Sequence, residues 1–141
     1  MAEKLADEVL DAVYSSDLLR ARETAGTVAA ARGLDVIPIR DLRERHFGTW
    51  EGLTDDEIFA RFPEAQGGSW GDAESQEEMA KRVVRALQRI GEGHDGGRVL
   101  VVSHGGPLRA VLAQCGVDGV EAIANCHVLR IEIEGGVIRA E

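Results

Sequence analysis

The hydrophobic pattern of the chain changes period several times, and each change marks an element. Compact apolar runs, DAVYS (11–15), DVIPI (35–39) and RVLVVS (98–103), have the length and bounding turn signals of strands. Pro38 puts the second near a sheet edge, because proline has no N–H to give a ladder. Between the runs the spacing lengthens to three and four residues. LLRARETAGTVAAAR (18–32) predicts a long helix capped by Ser16 or Asp17 and stopped by Gly33. Thr54 with Glu57 predicts a capping box on a short helix ended by Pro63. Ser75 with Glu78 predicts a second box, opening a helix that buries Met79, Val83, Leu87 and Ile90. Pro107 suits the first position of a helix with its face at Leu108, Val111, Leu112 and Cys115. Residues 2–10, with Leu5 and Val9 four apart, predict the end of another amphipathic helix. HVLRIEI and VIRAE predict a final hairpin turning at Gly135 and Gly136.

Strands alternating with helices predict an α/β three-layer sandwich with a largely parallel sheet flanked by helices, in one domain over residues 1–141. Two stretches fit neither period. One is RDLRERHFGTWEG (40–52), dense in functional groups; the other is the Gly-rich loop 66–73, which carries Trp70.

Composition narrows the function classes. A chain of 141 residues, 44% apolar, needs no disulfide or metal staple. Its formal charge of −9 argues against nucleic acid and anionic membranes as partners, while leaving room for a locally basic pocket. Cys115 and Cys126 have neither metal spacing nor a disulfide framework and read as reduced core thiols. With no signal peptide or membrane-length apolar run in the sequence, the expectation is a cytoplasmic protein.

Two strand-to-helix junctions carry matching equipment. In YSSDLLRARETA, Arg20 falls in the first helical turn after a strand. In VVSHGGPLRA, His104 ends a central-looking strand, and Gly105 and Gly106 let backbone approach a ligand. Each helix N-terminus offers N–H groups and partial positive charge. Arg20 adds a guanidinium suited to phosphate, and His104 a donor that can carry charge. Together they predict a phosphate pocket. Taken singly, each residue has a plainer reading: Arg20 as a solvated helix position, His104 as a core histidine, Glu44 as a surface carboxylate, Phe47 and Trp50 as loop packing.

SSDLLRARETA, LRERHFGTWEG, the Glu74-Ser75 pair and VVSHGGPLRAVL occur in series, and together they resemble the histidine phosphatase superfamily, the phosphoglycerate-mutase-like proteins. The resemblance implies a phosphomonoester hydrolase acting on a small phosphorylated substrate through a phosphohistidine, with neither metal nor cofactor. It implies that Arg20 binds phosphate, that His104 with Gly105 holds the transferring group, and that Glu44 gives a proton to the leaving oxygen. The short span between Glu44 and His104 favours hydrolysis over mutase-type transfer.

The nucleophile of that chemistry lies in an Arg-His-Gly motif, and no such triplet occurs in the chain. The resemblance places it on a first strand beside the strand that carries His104, so the sequence is expected to lack that strand and to begin inside the following helix. Unpaired sheet groups cost roughly 1–3 kcal/mol each against a total stability of about 5–15 kcal/mol. The remaining strands must close the gap, or another chain fills it by strand exchange in a homodimer, or the sequence is a fragment. Of the other histidines, His46 is nearest to Glu44, His94 lies at the opposite end, and His127 reads as a strand residue. Two readings compete with hydrolysis: a phosphate-binding module that turns nothing over, and an assembly protein that uses the open sheet edge.

Overall fold

The computed structural model describes residues 5–46, 57, 60–61, 74–120, 123–124 and 127–141. Three parallel strands form its sheet: β1 (Ala12–Ser16) in the centre, β2 (Val36–Ile39) on one side and β3 (Val99–Val102) on the other. The edge place expected for the Pro38 strand is therefore found. The strand leading to His104 is not central: among the described residues nothing pairs with the second edge of β3.

The pleat sends alternate residues to opposite faces. Val13, Val36, Leu100 and Val102 meet Ala21, Ala25 and Ala29 of α1 (Leu19–Ala30) on one face. Tyr14, Ile39, Val99 and Val101 meet the second core, in which α2 (Gln76–Gly93) contributes Met79, Val83, Ala86, Leu87 and Ile90. Val111 of α3 (Gly105–Gln114) joins this second core. The result is three layers, as expected. The hairpin of β4 (Ile131–Glu134) and β5 (Val137–Ala140) forms a separate two-stranded sheet that turns at Gly135 and Gly136, both at positive φ. It leans on α2 through Ile133 over Gly91 and a bond from Gln88 to the Gly136 carbonyl.

The gap between β3 and β4 stays open in the described structure. Val99, Val101, Leu129 and Ile131 help to line a groove of about 280 Å3 there. No described helix is long and apolar enough to cross a membrane.

Several local expectations need correction. Of the helix end expected at 2–10, residues 2–4 lie outside the described residues, Leu5 belongs to a 3-10 turn, and residues 6–10 form a turn and an irregular run, with Arg32 taking the carbonyls of Leu5 and Glu8. The N-cap of α1 is Leu18, without a side-chain cap; Ser16 accepts from the Leu18 N–H, and Asp17 turns away to pair with Arg43. That helix ends at Ala30, and Gly33 serves the turn behind it at φ 65. Helix α3 begins at Gly105 with His104 as its N-cap, which puts Pro107 two positions inside its start. The Ser75–Glu78 capping box is formed. Glu57, Ala60 and Arg61 are helical, but Thr54, Pro63, Phe47, Trp50, the 66–73 loop and Cys126 lie outside the described residues.

Candidate functional site

From β1 the chain crosses to β2 on one side and later to β3 on the other, so the direction of winding reverses between β1 and β3. A crevice opens outside the carboxyl ends of strands at such a point. Here a cleft of about 330 Å3 lies there, lined by Arg20, Thr24, Glu44, His104, Gly105 and His127 among others. All four residues singled out from the sequence, Arg20, Glu44, His104 and Gly105, thus meet in one place.

The order of elements explains the convergence. Arg20 stands one residue into α1, directly after β1, with its side chain exposed. His104 follows β3, and its ring Nε2 lies 2.8 Å from the Oγ of Ser16 at the end of β1. Ser16 is fully buried, so the imidazole is held by a group that cannot drift into solvent. Burial pushes the His104 ring below its ordinary pKa of 6.5; Arg20 and Arg82 push the same way, and the Glu44 and Asp17 charges oppose them. The neutral ring is therefore the favoured form at pH 7.

Glu44 faces this pair from the segment after β2. One carboxylate oxygen accepts from the Gly106 N–H at 3.0 Å, and the other from the Arg45 N–H at 2.9 Å. A Cβ at Gly106 would fall 2.9 Å from the Glu44 Cδ and 3.1 Å from Oε2, so any side chain there would push the carboxylate out of this position. The amide of the second glycine of His-Gly-Gly thus seats the glutamate.

Four contributors escaped the sequence reading. Ser16, a cap candidate by its position, also holds the His104 ring. His127 precedes β4 instead of belonging to it and lines the cleft. Thr24 lies one turn beyond Arg20 and shares its face, a spacing that was available to be read. Arg82 had no signal, being one of several arginines on a polar helix face. His46 is exposed and held by its backbone to Glu74, and it does not line the cleft. His94 bonds Tyr14 at the far end of the sheet, at 2.8 Å.

The sequence model of the histidine phosphatase superfamily (branch 1) matches residues 1–141. The chain is 42% identical over 141 residues to phosphoglycerate mutase-like protein 4 of Arabidopsis thaliana, covering 91% of this chain and 61% of that protein. It is 41% identical over 152 residues to the metal-independent phosphoserine phosphatase of the same plant, covering 98% and 64%. It therefore spans less than two thirds of the length of these curated relatives. Among solved structures, YhfR of Bacillus stearothermophilus superposes with a TM-score of 0.88 at 29% identity, over 99% of this chain and 76% of that one. A mycobacterial glucosyl-3-phosphoglycerate phosphatase superposes with a TM-score of 0.82 at 27% identity, over 99% and 79%. The layered α/β sandwich is the fold these structures share, and the chain belongs to the histidine phosphatase superfamily.

Proposed function

We propose that the chain provides the phosphate-gripping side of a phosphomonoester hydrolase that works through a phosphohistidine. In this reading the nucleophile arrives on an extended strand that enters between β3 and β4. The observation that carries it is the meeting of Arg20, His104, Gly105 and Glu44 in one cleft at the strand ends. A guanidinium, an imidazole able to take up a proton and a helix N-terminus suit the equatorial oxygens of a phosphoryl group. Glu44, across from them, suits the leaving oxygen.

The steps balance without a metal. A histidine nitrogen attacks phosphorus, the bond to the leaving oxygen breaks, and Glu44 gives that oxygen its proton. Water then attacks phosphorus, the phosphorus–nitrogen bond breaks to free the histidine, and the water's proton returns to Glu44. Support for a small substrate comes from the cleft volume and from relatives named as phosphoserine phosphatases, one of them called metal-independent. A related mycobacterial phosphatase, 28% identical with a TM-score of 0.81, was solved with inorganic phosphate.

The groove supports the strand. Its walls are mainly apolar, with Glu8, Arg98 and Arg130 at one end, and among the described residues nothing pairs with the outer edge of β3, so an extended segment with apolar residues on both faces would pair in parallel there. Its carboxyl end would then emerge beside His104.

The test is to extend the chain at its N-terminus with an apolar strand ending in Arg-His-Gly and to measure p-nitrophenyl phosphate hydrolysis. Turnover is expected, and replacing either His104 or the added histidine by alanine should abolish it. An extended chain that folds and binds phosphate yet hydrolyses nothing would overturn the catalytic reading and leave a phosphate-binding module.

A further inference from the structure

Arg82 lies on α2 and does not line the cleft. Its guanidinium donates to three backbone carbonyls, those of Asp41 at 2.7 Å, Arg43 at 2.8 Å and Glu44 at 2.9 Å. The same group forks onto both carboxylate oxygens of Glu74, at 2.7 and 2.8 Å. Both side chains are about four-fifths buried, at 20% and 17% exposure. Glu74 is tied to the next residues as well. Its carboxylate accepts from the His46 N–H at 3.2 Å, its own N–H donates to the His46 carbonyl at 2.7 Å, and its carbonyl accepts from the Arg45 side chain at 2.6 Å.

The segment that carries Glu44 has little structure of its own. A single 3-10 turn spans Arg40–Leu42, and residues 43–46 are irregular. Carbonyls there have neither a ladder nor a helix to fix them, and a buried carbonyl needs a donor. Arg82 supplies that donor three times over from one rigid plane. Lysine, with one compact ammonium, has no such fork.

We infer that Arg82 and Glu74 form a positioning pair for Glu44, holding its backbone so that the carboxylate reaches the Gly106 amide and faces His104. The pair's value to catalysis rests on the reading of Glu44 as proton donor, but the placement itself is measurable without turnover. Among the described residues, Arg20 of α1, His104 at the start of α3 and His127 share the cleft with Glu44, Arg43 and Arg45 flank it in sequence, and Arg82 and Glu74 meet its backbone from behind. Arg82 grips the backbone of Glu44 directly, through its carbonyl.

Gly106 reports on the placement, because an amide in the first turn of a helix has no partner within that helix and this one donates to Glu44. The experiment is amide hydrogen exchange by NMR on the 15N-labelled 141-residue chain at constant pH. In R82K, exchange at Gly106 should speed up at least tenfold while Val13 in β1 is unchanged. E74Q, which keeps one acceptor for the fork, should fall between wild type and R82K and serves if R82K does not fold. In an E44A background, where the Gly106 amide has already lost its acceptor, R82K should add nothing. Unchanged Gly106 protection in the folded variant would overturn the inference. So would an equal acceleration with and without Glu44, since that is what a merely structural tie, fraying the start of α3, produces. Failure of the extended chain to hydrolyse phosphate esters would sink the proton-donor reading and leave this placement standing.

Discussion

At His104 the physics of one side chain ties stability to ligand charge. Burial disfavours its charged form, so its pKa lies below 6.5 in the folded chain and near that value when unfolded. As pH falls through this window the unfolded chain takes up the proton first, and this residue's contribution to stability is lost. An anion in the cleft reverses the preference, since it favours the imidazolium. NMR titration of the His104 ring should therefore show a midpoint below 6.5 in the free chain and a higher one with inorganic phosphate bound. Replacing Arg20 by alanine should weaken phosphate binding and raise the free midpoint, because the Arg20 charge helps to depress it. A midpoint indifferent to phosphate would mean that the cleft does not hold the anion against His104.

Among the elements, the strands and helices that periodicity marked are largely present, and the departures have specific causes. Val13, Leu100 and Val102 alternate with Tyr14, Val99 and Val101 because both faces of the sheet are covered, so a buried run was legible as strand. The Ser75–Glu78 box was legible because its two hydrogen bonds are local. Leu5 and Val9 misled because a helical spacing says nothing about Arg32, which binds the Leu5 and Glu8 carbonyls from 27 and 24 residues away. At the site, Arg20, Glu44 and His104 were legible from motifs, whereas Ser16 and Arg82 act through tertiary contacts that leave no spacing.

Packing of elements also separates two helical glycines that look alike in sequence. Gly26 in α1 has open space where a Cβ would go. G26A should stabilise the chain by about 0.5–1 kcal/mol, the helix preference of alanine over glycine. Gly91 in α2 lies under Ile133, with Cγ2 3.0 Å and Cβ 3.3 Å from the new methyl. A β-branched side chain cannot rotate away freely, so the hairpin must shift. Overpacking of about 1–3 kcal/mol should outweigh the propensity gain and make G91A destabilising. Paired chemical denaturation curves check both signs; two changes of the same sign would mean that the hairpin gives way without cost.

At the scale of the whole molecule, one clasp spans the end of the groove between β3 and β4. Glu8 accepts from Arg98, just before β3, at 2.8 Å and from Arg130, just before β4, at 2.7 Å. The Arg130 bond, chiefly, and the Arg98 charge hold the Glu8 carboxyl below its ordinary value despite some desolvation. The clasp is therefore present at neutral pH and weakens as acid protonates Glu8. Above it, the edge of β3 that nothing among the described residues pairs with is a template for another strand. A net charge of −9 opposes association between copies, and salt screens that repulsion. The 141-residue chain should therefore self-associate between about 1 µM and about 1 mM, more strongly as salt rises. The strand-extended chain, with its groove filled from within, should stay monomeric over the same range. Static light scattering on both forms decides the matter. Association of both alike would place the contact away from β3, and a salt-independent monomer in both would mean that the hairpin and the Glu8 clasp shield the edge on their own.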